Sequence, residues 1–106
     1  EANTPEIALP IYAKNAGITT LKVRLKDNDT VLFEKKAELD RGLNYVTYDL
    51  QIDEQKMKAY ERLLQKEDEK VKVKKADNAA IYLRKGEYEI SATKNGSMEK
   101  TKLLIE

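Results

Sequence analysis

Apolar residues along this chain recur mostly at every second position, with charged or polar residues between them. Leu21, Val23 and Leu25 alternate with Lys22, Arg24 and Lys26, and Val46, Tyr48, Leu50 and Ile52 alternate with Thr47, Asp49 and Gln51. Successive side chains of a strand point to opposite faces, so each run predicts a strand with one buried face and one in water. The unbroken register from Val46 to Ile52 predicts a strand in the centre of a sheet. Val31 and Phe33 together mark a further strand. Ile7 to Tyr12 marks another, placed at an edge and kinked because Pro10 has no N–H to give to a ladder. Further along, Val71 and Val73 alternate with lysines, Ile81 and Leu83 flank Tyr82, and Tyr88, Ile90 and Ala92 alternate with Glu87, Glu89 and Ser91. Asn95-Gly96, between strands expected over 87–94 and 98–105, is a strong hairpin signal because both residues tolerate positive φ.

One segment departs from this period. Over residues 53–69, Met57, Tyr60, Leu63 and Leu64 fall on one helical face, and the segment lacks Gly, Pro and β-branched residues. It predicts a helix of about four turns. Asp53 is its expected N-cap, with Glu54 favoured at the positive end of the helix dipole. A stripe this narrow predicts a helix lying on the surface of its own sandwich. Between strands, "KDNDT" and "DRG" carry turn chemistry, and Gly42 and Asn44 feed the strand that follows. About seven short strands with one helix predict an all-β antiparallel sandwich, since a parallel sheet would need regularly interleaved helices.

Composition narrows the chemistry. At 106 residues the chain has the size of one domain, with room for two layers and not for a deep catalytic cavity. Charged residues make up 37%, but 20 Lys and Arg face 19 Asp and Glu, leaving no field of one sign to steer nucleic acid or an anionic membrane. His and Cys are absent, which removes the commonest general base, the usual zinc ligands and every thiol mechanism. No metal site and no cofactor are expected. No run reaches the roughly 18 apolar residues of a membrane span, so no membrane insertion is expected. The chain starts at Glu1; residues 1–4 are expected to be a linker or a processed N-terminus, and 5–106 a single domain.

"GLNYVTYDL" at 42–50, followed by "YLRKGEYEISATKNGSMEKTKLLIE" at 82–106, resembles a C-terminal domain of exported bacterial multidomain proteins. That domain is immunoglobulin-like or fibronectin-III-like. It follows a sortilin-type or Asp-box β-propeller in proteins called glycosyl hydrolases, many from Bacteroidetes. Its pattern has a turn with G-x-N, a V-x-W-D-L strand, an insertion, then P-G-x-Y and a closing hairpin. Tyr48 stands where that family has Trp, and Lys85 where it has Pro. The immunoglobulin-like domain of flagellar hook-capping proteins is similar in outline. The resemblance spans 17–105 and implies a seven-stranded immunoglobulin-like sandwich with one inserted helix. It further implies a noncatalytic accessory role, an upstream domain of the same polypeptide as partner, and a periplasmic or extracellular location. Those proteins carry any catalytic residues in the propeller, so no catalytic residue carries over and the domain is not expected to be an enzyme.

Two other classes of function compete with that reading. A carbohydrate-binding module would stack sugar rings on exposed aromatic faces, and Tyr45 and Tyr82, which point away from the inward sets, are its candidate contacts. An interaction domain would add a partner's strand to an open sheet edge. Other features have structural explanations. "DNDT" at 27–30 lacks the further ligands of a calcium loop and reads as a turn. Asp49 and Asp53 read as a strand-end residue and an N-cap. Lys70, Lys72, Lys74 and Lys75 read as a solvated edge and not a phosphate site. Tyr88 fits a tyrosine corner, its hydroxyl tied to nearby backbone.

Overall fold

The computed structural model describes residues 6–94 and 96–106. Six strands form two antiparallel sheets: β1 (Ile7–Ala13), β2 (Gly17–Leu25), β3 (Val31–Leu39), β4 (Gly42–Tyr48), β5 (Gly86–Lys94) and β6 (Ser97–Ile105). A 3-10 turn (Glu54–Lys56) leads into one helix, α1 (Met57–Gln65). One sheet has the order β3-β2-β5-β6, and the other is the β1-β4 pair. Leu9, Ile11 and Tyr48 from the pair join Leu21, Val23, Tyr88 and Ile90 from the larger sheet in a single buried core. The molecule is therefore an all-β, two-layer sandwich, as the alternation predicts.

Six strands are present among the described residues where about seven are expected, and the difference lies between α1 and β5. Val73, Ile81 and Leu83 are buried there, yet pairing reduces to one bridge, Gln51↔Tyr82. The Ile52 N–H donates to the Ile81 carbonyl at 2.8 Å and the Leu83 N–H to the Leu50 carbonyl at 2.8 Å. Alternation reports which side chains are buried; a ladder also needs a partner strand alongside, and these segments have one for only a residue or two. Residues 1–4 and Asn95 lie outside the described residues. The closing hairpin is nevertheless defined by its strands, which pair from Gly86↔Ile105 to Lys94↔Ser97, with Gly96 at φ +82°.

Two strands differ in detail from the pattern. The Val46 to Ile52 register does not run on as one central strand: β4 ends at Tyr48, Leu50 turns at φ 63°, and β4 pairs with β1 alone, so it is an edge. Tyr48 and Ile52 remain buried because the turn returns Ile52 to the core. In β3, Val23 pairs with Phe33 but Arg24 pairs with Val31, a bulge that leaves Leu32 unpaired. Val31 and Phe33 are thereby separated, and Leu32 turns into the core with no exposure while its carbonyl accepts from the Asp53 N–H at 2.8 Å.

The helix is shorter than the sequence pattern predicts. It covers nine residues in place of residues 53–69, and Asp53 is extended at its start without a side-chain cap bond. After Gln65 the run "KEDE" has no apolar residue to hold another turn against the sheet, and Asp68 instead accepts from the Lys70 and Val71 N–H groups. Tyr60 is fully buried, with Met57 and Leu64 packed beside it on the core. The stripe thus covers its own sandwich.

Candidate functional site

The two layers turn different surfaces to water. On the outer face of the β1-β4 pair, the register sets Ala8 opposite Thr47, Pro10 opposite Tyr45 and Tyr12 opposite Leu43. All six positions are exposed and none is charged, in a chain where 37% of residues carry charge. Tyr45 is 67% exposed, Tyr12 64% and Leu43 59%. Side chains diagonal across an antiparallel pair stand about 7–8 Å apart, which is the relation of Tyr12 to Tyr45. Among the described residues the ring pairs are Phe33–Tyr48 and Tyr60–Tyr88, so neither of these outer rings is stacked on another aromatic side chain.

The opposite face, on the four-stranded sheet, carries charged rows at its centre and exposed Ile18, Met98 and Leu104 toward its ends. Its rows run Glu34–Lys22–Ser91–Lys100 and Arg24–Glu89–Lys102. Ser91 is covered there and accepts from the Arg24 guanidinium at 3.1 Å. Lys26 pairs with Glu87 at 3.0 Å at the edge of this face.

Of the two sequence-derived glycan candidates, Tyr45 lies in the middle of the uncharged face. Tyr82 lies on the segment before β5, half-buried, where it bridges Gln51 and its hydroxyl accepts from Asn78 Nδ2 at 2.9 Å. The neighbours that the register gives Tyr45 are Pro10 and, diagonally, Tyr12. Sequence reading missed Tyr12 and Leu43 because each closes or opens a strand next to a turn, where alternation is too short to assign a face. The signal that identifies them is the cross-strand register, which sequence spacing alone does not supply.

In the core, Tyr60 of α1 and Tyr88 of β5 tie the helix to the larger sheet. The Arg84 N–H donates to Tyr60 Oη at 2.8 Å, and Tyr88 Oη donates to the Arg84 carbonyl at 2.8 Å. The two hydroxyls meet at 2.5 Å; since Tyr88's proton is committed, Tyr60 donates to Tyr88. The three bonds close a ring on one residue's backbone. Burial, and then the bond to Tyr60, hold the Tyr88 phenol well above its ordinary ionisation range. Tyr48, whose hydroxyl donates to the Gln51 carbonyl at 2.6 Å, is raised by burial and by the neighbouring Asp49 carboxylate. These hydroxyls are satisfied donors in a packed core.

No family model, no curated protein and no solved structure is similar to this chain. "DNDT" is a hairpin turn: Asp27 sits at φ 59°, Asn28 N–H donates to the Leu25 carbonyl at 3.1 Å, and Asn28 Oδ1 accepts from the Thr30 N–H at 2.8 Å. Lys75 is paired with Glu54, whose carboxyl that bond holds below its usual range. Lys70, Lys72 and Lys74 are exposed around the buried Val73. Among the described residues no helix is long and apolar enough to cross a membrane.

A groove of about 340 Å³ opens between β1 and β6, with Ile11 and Ala13 on one wall and Ser97 and Glu99 on the other. Along β6 the inward positions change from Ile105 and Leu103 to Thr101, Glu99 and Ser97 as the cover of the smaller sheet runs out. Lys94 closes the groove's end by donating to the Asn15 carbonyl at 2.8 Å. Its second wall is built for water, whereas the six outward positions of β1-β4 carry no charged side chain.

Proposed function

We propose that this chain is a noncatalytic, immunoglobulin-like accessory module of a larger exported bacterial protein, set beside a propeller or other glycan-active domain in the periplasm or at the cell surface. The observation that carries the reading is the strand order taken with the tyrosine ring. In immunoglobulin-like sandwiches the sheet C′-C-F-G faces a sheet containing B and E, and a tyrosine near the start of F bonds backbone a few residues upstream. Here β3-β2-β5-β6 faces β1-β4, which maps onto C′-C-F-G and B-E, and Tyr88, the third residue of β5, bonds the Arg84 carbonyl. Strands corresponding to the outer A and D are not found among the described residues.

A module of this kind acts as a rigid appended body. Its polar core groups are satisfied, its helix is bonded into the sandwich, and its surfaces hold it beside the domain it serves. The test is the parent protein with and without this module. Removal is expected to leave kcat of the parent's reaction unchanged and to lower its thermal midpoint. Loss of kcat with an unchanged midpoint would contradict the accessory role.

A further inference from the structure

We infer that the outer face of the β1-β4 pair binds a neutral, ribbon-shaped polysaccharide, with the rings of Tyr12 and Tyr45 as its stacking platform. The inference rests on the noncatalytic reading above and names the ligand class of that module.

Three observations converge on this occupant. The face is uncharged at all six outward positions, whereas the outer face of the other sheet carries Lys22, Arg24, Glu34, Glu89, Lys100 and Lys102, with Lys100 and Glu89 3.8 Å apart. A charged polymer would find no counter-charge on Ala8, Pro10, Tyr12, Leu43, Tyr45 or Thr47, so the complementary ligand is neutral. The shape is a strip. Seven residues at a rise of about 3.3 Å and two strands about 4.8 Å apart give a surface roughly 23 Å long and about 10 Å wide. Its area, on the order of 250 Å², falls well short of the ~800 Å² that each partner contributes to a stable protein interface. A folded protein resting on this strip alone would have too little contact to remain bound, whereas an extended chain of sugar rings has the matching footprint.

The chemistry fits as well. A sugar ring with equatorial substituents presents flat C–H faces, which pack on the negative face of a phenol ring, while Tyr hydroxyls at the rim can exchange hydrogen bonds with sugar hydroxyls. Tyr12 and Tyr45 stand diagonally on a two-stranded pleat, so successive rings of a flat, equatorially linked chain meet them in turn. Pro10, opposite Tyr45, and Leu43, opposite Tyr12, flank this diagonal.

The experiment is affinity electrophoresis of the chain in native gels containing hydroxyethylcellulose, a soluble neutral β-1,4-glucan, with sedimentation of the same samples. The wild-type chain is expected to be retarded. Tyr12→Ala and Tyr45→Ala are each expected to weaken retardation about threefold to tenfold, the equivalent of one lost aromatic contact. Tyr82→Ala is expected to bind as wild type. All three positions are on the surface or half-buried, and circular dichroism checks that each variant stays folded. Three results would overturn the inference: no retardation of the wild type, retardation unchanged in the Tyr12→Ala, Tyr45→Ala double variant, or a concentration-dependent dimer that the double variant abolishes. Release of reducing ends from the glucan would instead contradict the noncatalytic reading and leave the binding face standing.

Discussion

Arg84 shows how much a single residue's surroundings can differ from its exposure. Its side chain is in solvent, yet its N–H and C=O are both engaged by buried phenols. Native-state hydrogen exchange is expected to find the Arg84 amide protected close to the level of the core strands, because release requires Tyr60 to leave the core. In Tyr60→Phe that protection should vanish, and denaturant unfolding should show a loss of about 1–3 kcal/mol for the stranded donor. The same phenols set an alkaline limit. Tyr48 and Tyr88 have raised ionisation in the folded state, so the unfolded chain releases their protons first as pH rises past the ordinary tyrosine value of 10.0. Stability is therefore full below that value and declines above it, and ionisation of Tyr48 and Tyr88, followed at their own NMR ring signals, should appear together with loss of circular dichroism. Ionisation of these two phenols with the fold intact would count against the closed ring.

At the scale of elements, the hairpin β5-β6 and the inward faces of β2 and β5 were legible in the sequence because strict alternation and a two-residue turn leave little choice of register. The bulge at Leu32 was not. A single extra residue shifts parity by one, and sequence reading therefore pairs Val31 with Phe33 and misses the most buried leucine of the chain. Leu32→Ala is expected to cost about 2–5 kcal/mol, more than the same change at the exposed Leu104, as read from the midpoint of denaturant unfolding. The turn before β4 was legible in part. Gly42 supplies φ +102°, and Asn44 reaches back so that its Oδ1 accepts from the Asp40 N–H at 2.9 Å while its Nδ2 donates to the Asp40 carbonyl at 2.8 Å. The helix was overestimated because good helix formers continue past Gln65, whereas the apolar contacts that stabilise a short helix do not.

For the whole molecule, the proposed ligand face rests on the uncharged strip of β1-β4, set against the charged rows of the other sheet. Half of it was legible: Tyr45 lies outside the inward set by simple parity. The other half depends on β1 and β4 being partners, a pairing that runs from Ala13↔Gly42 to Ile7↔Tyr48 and that no local spacing encodes. Tyr82 shares the outward parity of Tyr45 but belongs to the core-bridging segment beside Gln51. The most direct test of the surface as the working part is an amide-resolved NMR titration of the chain with a β-1,4-linked glucose hexamer. Shift changes are expected to be confined to β1 and β4, centred on Tyr12, Leu43 and Tyr45. Changes centred on the β2-β5-β6 face or around Tyr82, or no changes at all, would contradict it.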